Sequence, residues 1–197
     1  RRNLEMSTEA AVKYLLLSIT ASAFLLFGLA LLYFESGAMT FHEVGVSVKQ
    51  WQTVPALWLG GLILVLVGIA LKLGLAPFHM WIPDVYQGAP TPITTYIATV
   101  SKAAVMALLL RLATEVGILE LPPVVHLFSL LAVISMVTGN VLALLQENVK
   151  RLLAYSSIAH GGYLLLGLAA AVGANAFTEL NVIGGVTAMV FYVVVYS

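Results

Sequence analysis

Residues 55–82 form an apolar run of about 28 residues whose one charged side chain is Lys72. As unbroken helix the run would reach about 42 Å, against a bilayer hydrocarbon core of about 30 Å. Such a segment either tilts strongly or breaks. Gly74 and Pro77 supply a break, because proline has no amide donor and its ring clashes with the preceding turn. Pro83, Gly88, Pro90 and Pro92 then end the run.

Comparable apolar runs cover residues 10–34, 92–112, 124–145 and 152–172, and a sixth begins near Phe177. The chain is 61% hydrophobic and 9% charged, where a soluble domain carries about 25% charged residues, so lipid is the expected solvent. The expectation is an all-α polytopic transmembrane helix bundle of about six spans. It forms one transmembrane domain over residues 1–197, with the second span discontinuous around Gly74 and Pro77. Ser7 or Thr8 is placed to cap the first span, and residues 35–52 form the longest polar connection, with Trp51 at the interface. The chain opens on Arg1-Arg2 without Met and stops at Ser197 inside an apolar run. With no small-residue cleavage site following, it reads as an internal piece of a longer polytopic protein.

Nine basic and nine acidic residues leave no net charge, so there is no basic stripe for nucleic acid. Without cysteine the chain forms no disulfide and holds no iron–sulfur cluster through thiolates. No phosphate loop, nucleophile triad, metal-ligand cluster or dinucleotide fingerprint is present, and no cofactor is expected in this chain. Arg1, Arg2, Lys150 and Arg151 fall on one side of the bundle, Lys49 and Arg111 on the other. The positive-inside rule places the first side, with the linker after His79, in the cytoplasm or its organellar equivalent.

Lys72 and Lys102 are the residues that carry chemistry. Each lies near the middle of an apolar run, where a lysine costs roughly 2.5–3.5 kcal/mol on insertion scales. One reading is snorkelling of the ammonium to a headgroup. The other is an ionisable relay: burial disfavours the charged lysine and a nearby carboxylate favours it, so a lysine between those influences exchanges a proton. The break at Gly74 and Pro77 is either a simple proline kink or a discontinuity of the sort that lines ion sites. In the fifth run, Tyr155, Ser156, Ser157 and His160 either line a hydrated path or hold helices together by hydrogen bonds. His79 is either a pathway entrance or an interface residue. Asp84 caps or positions the linker, and Lys13 snorkels or pairs with Glu9 one turn away. His42 and His126 read as loop and boundary residues. Gly60-Gly61 and Gly161-Gly162 read as sites of close helix packing.

The stretch Lys72-Leu-Gly-Leu-Ala-Pro-Phe-His-Met-Trp-Ile-Pro-Asp-Val-Tyr-Gln-Gly-Ala-Pro-Thr-Pro92, followed by Ser101-Lys102, resembles the antiporter-like membrane subunits of respiratory complex I, the NADH-quinone oxidoreductases. Within that family, Pro83-Asp84-Val85-Tyr86-Gln87-Gly88 and the run from Asn148 to Tyr163 resemble the N-type subunits. The resemblance covers essentially the whole chain. It implies that Lys72 is the central lysine of a broken helix and Lys102 the lysine of the next. It further implies a glutamate partner before Arg1 and a second broken helix after Ser197. Some sister subunits carry a histidine where this chain has Tyr96, a poor base at neutral pH, so their relay does not transfer directly.

The function implied is proton translocation coupled to redox chemistry in other subunits, with other complex I membrane subunits and the lipid bilayer as partners. The implied setting is a bacterial inner membrane. Lys72, Lys102 and His160 form the expected relay, supported by Pro77, His79, Tyr96, Tyr155, Ser156 and Ser157. The alternatives are a cation/proton antiporter subunit and a structural membrane subunit with no transport role.

Overall fold

The structure, a computed structural model, describes residues 2–173, and every regular element among them is helical. Helix α1 (Arg2–Ser36) begins before Ser7 and Thr8, so neither caps it. Helix α2 (Phe41–Gln50) lies inside the expected polar connection. A capping box starts it: Thr40 Oγ1 accepts from the Glu43 amide, and the Glu43 carboxylate accepts from the Thr40 amide, both at 3.3 Å. Two otherwise unpaired amides are thereby satisfied. Helix α3 (Ala56–Leu73) is followed by a turn and the short helix α4 (Trp81–Gly88). Helices α5 (Thr91–Tyr96) and α6 (Lys102–Arg111) are joined by a π-helical stretch, Ile97–Ser101, and a second one, Leu112–Val116, continues α6. A 3₁₀ turn at Ile118–Glu120 leads to α7 (Pro122–Leu144) and α8 (Val149–Gly173).

Five stretches are long and apolar enough to cross a bilayer: Glu5–Ser36, Ala56–Leu73, Thr91–Val116, Pro122–Leu144 and Val149–Ala169. The molecule is an all-α polytopic membrane bundle, and two expectations are corrected. Among the described residues there are five spans, not about six; the sixth, expected near Phe177, lies outside them. The second span is also not the long interrupted run of residues 55–82. It is the 18-residue Ala56–Leu73, uninterrupted within itself and closed by the glycine turn that follows. The span that departs internally from α-geometry is the third, through its π-helical stretches, because they leave the helix axis continuous while changing its hydrogen bonding.

Lipid tails give little hydrophobic drive for helices to associate, so close packing of small residues does that work. Antiparallel α1 and α3 meet at Gly28 against Gly61 and Val65, and at Ala21 against Gly68. Antiparallel α7 and α8 meet at Gly139 against Ala159, and at Ala132 and Met136 against Gly162. Gly60 faces open space, so of that expected pair only Gly61 lies at the contact, and Gly161 meets only the end of the Leu75 side chain. One core of Trp58, Val65, Ile69, Leu109, Phe128 and Leu165 joins α3, α6, α7 and α8, and a second joins Trp81, Ile82 and Tyr86 of α4 to Ile158 of α8. This second core seats α4 beneath the end of α3.

Candidate functional site

The end of α3 is built by backbone chemistry. Gly74 sits in the left-handed region (φ 66°, ψ 42°). Its amide donates to the Leu71 carbonyl at 3.2 Å, and the Leu75 amide donates to Ala70 at 3.0 Å, the paired bonds of a Schellman ending. Side chains from elsewhere complete the break. The Trp81 indole Nε1–H donates to the Leu71 carbonyl at 3.2 Å, and the Ala76 amide donates to Ser135 Oγ of α7 at 3.0 Å. Ser135 is fully buried, so it supplies an acceptor that water cannot. The Ala76–Pro77 peptide is cis, and Pro77 itself is exposed.

Lys72 lies in the last turn of α3. It lines a cavity of about 30 Å³ with Tyr14, Ser18, Trp81 and Ser101, large enough for a water or two. No carboxylate among the described residues pairs with it. Ser101 immediately precedes Lys102, at the end of the π-helical stretch, a feature that recurs at functional sites. Lys102 lies about 17 Å into a span of about 39 Å, near its middle. Its ammonium donates to Ser157 Oγ and, at 3.2 Å, to the Ser157 carbonyl oxygen on α8. Ser157 is buried, and its Oγ lies 3.5 Å from the hydroxyl of Tyr86 on α4.

The structure thus brings Lys72, Lys102 and Ser157 into one region. His160 is one turn along α8, close enough to feel the charge of Lys102, with its ring edge-on to Tyr163 at 5.8 Å. His79 packs on Tyr155 with ring centroids 6.5 Å apart, beside the break. Burial pushes its imidazole below the ordinary histidine value. The Pro77 carbonyl opposes that shift, though no hydrogen bond of good geometry reaches the buried Nδ1. Two expected residues stay outside. Tyr96 is 59% exposed, and half-buried Ser156 makes no side-chain hydrogen bond among the described residues.

At the α4 end lies an ionic cluster. Asp84 accepts from Lys13 of α1 at 2.7 Å and from Arg151 of α8 at 2.8 Å. Lys13 also pairs with Glu9 at 2.7 Å, and Arg151 reaches Gln87 and Gln146, both at 3.1 Å. Partial burial pushes the Asp84 carboxyl up, but the hydrogen bonds from Lys13 and Arg151 outweigh it and hold Asp84 below the ordinary carboxylate value. Asp84 therefore positions the linker, and Lys13 is paired rather than snorkelling freely.

Sequence reasoning missed Trp81, Ser135, Ser101 and Tyr86 as parts of the site. Ser135 and Ser101 carried a signal, since a hydroxyl inside an apolar span needs a partner. Trp81 and Tyr86 carried no such signal, and the turn after α3 buries both.

Comparison with known proteins places this geometry. The profile of the family described as "NADH:quinone oxidoreductase/Mrp antiporter, TM" matches residues 1–197. The chain is 53% identical over 163 residues to NADH-quinone oxidoreductase subunit N of Methylococcus capsulatus, covering 83% of this chain and 33% of that protein. It is 52% identical over 172 residues to the subunit of the same name from Ectopseudomonas mendocina, covering 85% and 33%. The chain therefore spans about a third of the length of these relatives. Among solved structures, a chain of respiratory complex I from Thermus thermophilus with bound aureothin superposes with a TM-score of 0.69 at 40% identity, over 95% of this chain and 39% of that one. A chain of the Mrp complex from Dietzia superposes with a TM-score of 0.78 at 18% identity, over 96% and 34%, a likeness of fold alone.

Proposed function

The chain belongs to the NADH:quinone oxidoreductase/Mrp antiporter transmembrane family, and from that premise we propose that it carries the lysine segment of a proton path in a membrane respiratory complex. The carrying observation is that Lys72 and Ser101, the residue before Lys102, line one small cavity of mixed polar and apolar lining near the middle of the third span. A proton leaving the Lys72 ammonium passes through water in that cavity to the Lys102 amine. His160 extends the path along α8, and His79 with Tyr155 stands at the α4 end as its entrance. Helices α3 and α4 then act as two halves of one interrupted path, with the freed backbone of the turn shielded by Trp81 and Ser135.

The relatives above 50% identity support an N-type subunit of a bacterial NADH-quinone oxidoreductase, seated in the inner membrane among other complex I subunits that perform the redox steps. The 18% identity to the Mrp chain lends less support to a cation/proton antiporter. The test is Lys72→Met and Lys102→Ala in the assembled complex, with proton pumping and quinone reduction measured in the same vesicles. Pumping should collapse in both variants while the subunit stays assembled. Unchanged pumping sinks the relay, and transport that requires sodium would favour the antiporter reading.

A further inference from the structure

Lys102 in its charged form is a donor only, with three N–H groups and no lone pair. Its two acceptors are both on Ser157: the hydroxyl and the main-chain carbonyl. A serine oxygen that receives the ammonium still has its own proton to place, and the atom within reach is the Tyr86 hydroxyl oxygen. Ser157 is 1% exposed and Tyr86 2% exposed, so bulk water does not take that role. The hydrogen bonds therefore run from Lys102 to Ser157 to Tyr86.

When Lys102 gives up its proton, the amine gains a lone pair and becomes an acceptor. Each hydroxyl is both donor and acceptor and can rotate. The Ser157 O–H then turns toward the Lys102 nitrogen, and the Tyr86 O–H turns toward Ser157 Oγ. The chain now runs from Tyr86 to Ser157 to Lys102, with no heavy atom displaced. We propose that Tyr86 and Ser157 form a reversible hydroxyl pair that positions Lys102 in both of its protonation states. The proposal rests on the relay reading of Lys102. It also gives α4 a second duty, since the helix whose Trp81 shields the end of α3 beside Lys72 carries Tyr86 to Lys102.

The ionisable groups nearest Lys102 are His160 on α8 and Tyr86 on α4, with Lys72 on α3 and Tyr14 on α1 lining the cavity that the preceding residue, Ser101, borders. Removing Tyr86's hydroxyl takes a bond from both states: an acceptor for the Ser157 O–H when Lys102 is charged, and a donor to Ser157 Oγ when it is neutral. The first loss is the larger, because it strands a buried O–H beside a charge, so the balance shifts against the charged form. The experiment is the pH profile of proton pumping per quinone reduced, in vesicles holding the complete complex, for Tyr86→Phe, Ser157→Ala, Ser157→Thr and Lys102→Ala. In Tyr86→Phe and Ser157→Ala the alkaline limb should move to lower pH by about one unit, the tenfold change that a hydrogen bond to a charged group supplies. Ser157→Thr, which keeps the hydroxyl, should restore the wild-type profile. If Lys102→Ala abolishes pumping while Tyr86→Phe and Ser157→Ala keep the wild-type profile, the hydroxyl pair is wrong and the relay stands. If Lys102→Ala pumps normally, the relay itself fails and the pair with it. Tyr86→Phe preserves ring volume, so it tests the pair even if Ser157→Ala disturbs assembly.

Discussion

Gly74 carries two constraints at once. Its φ is positive, where a side chain costs roughly 1–2 kcal/mol, and an added Cβ would strike Cδ1 of Ile82. Gly74→Ala should therefore lower the melting temperature of the assembled complex. Adding Ile82→Val, which removes Cδ1 but keeps a γ carbon where Cγ1 would lie 2.7 Å away, should recover part of the packing share and leave the backbone share. Full recovery would show that the left-handed turn is not strained by alanine. A glycine three residues before a proline was legible as a break. That Ser135 accepts from the Ala76 amide in the turn was not, because the two are 59 positions apart in the chain. The adjacent serines show the same boundary. Successive helical residues are turned by about 100°, so only one of Ser156 and Ser157 can face Lys102, and the sequence does not say which.

At the scale of elements, backbone proximity between α1 and α3 makes a sharper test than composition does. A Cβ at Gly28 would lie 2.6 Å from the Gly61 carbonyl oxygen and 2.7 Å from the Val65 nitrogen, whereas one at Gly60 meets nothing. Gly28→Ala should destabilise the subunit by about 1–3 kcal/mol through overpacking, read as lower yield of assembled complex, and Gly60→Ala should leave that yield unchanged. Equal effects would contradict this packing. The spans were legible because each must keep apolar residues through the bilayer thickness. Helix α2 was not recognised, although Thr40 and Glu43 have capping-box spacing. Its amphipathic pattern is short and lies in a polar stretch. The π-helical stretches have no comparable pattern in the sequence.

Across the whole molecule, Asp84 ties α4 to α1 and α8 through partly exposed pairs that solvent screens. Its folded pKa lies below the ordinary value, so the contribution is fully present above about pH 4 and is lost as pH falls through the folded value. The difference in hydrogen-exchange protection of α4 and the first turn of α8 between wild type and Asp84→Asn should be constant above about pH 5. It should vanish in stronger acid. Comparing the two proteins cancels the separate acid response of His79. A difference that already fades near neutral pH would contradict the assignment.

The depth of Lys102 has a further consequence. A charge crossing the whole membrane does work of about 2.3 kcal/mol per 100 mV. Lys102 stands near the midpoint of its span, so a proton reaching it from either surface crosses about half the voltage drop. Uptake and release would then share the electrical work nearly equally, and neither step would dominate the voltage dependence of turnover.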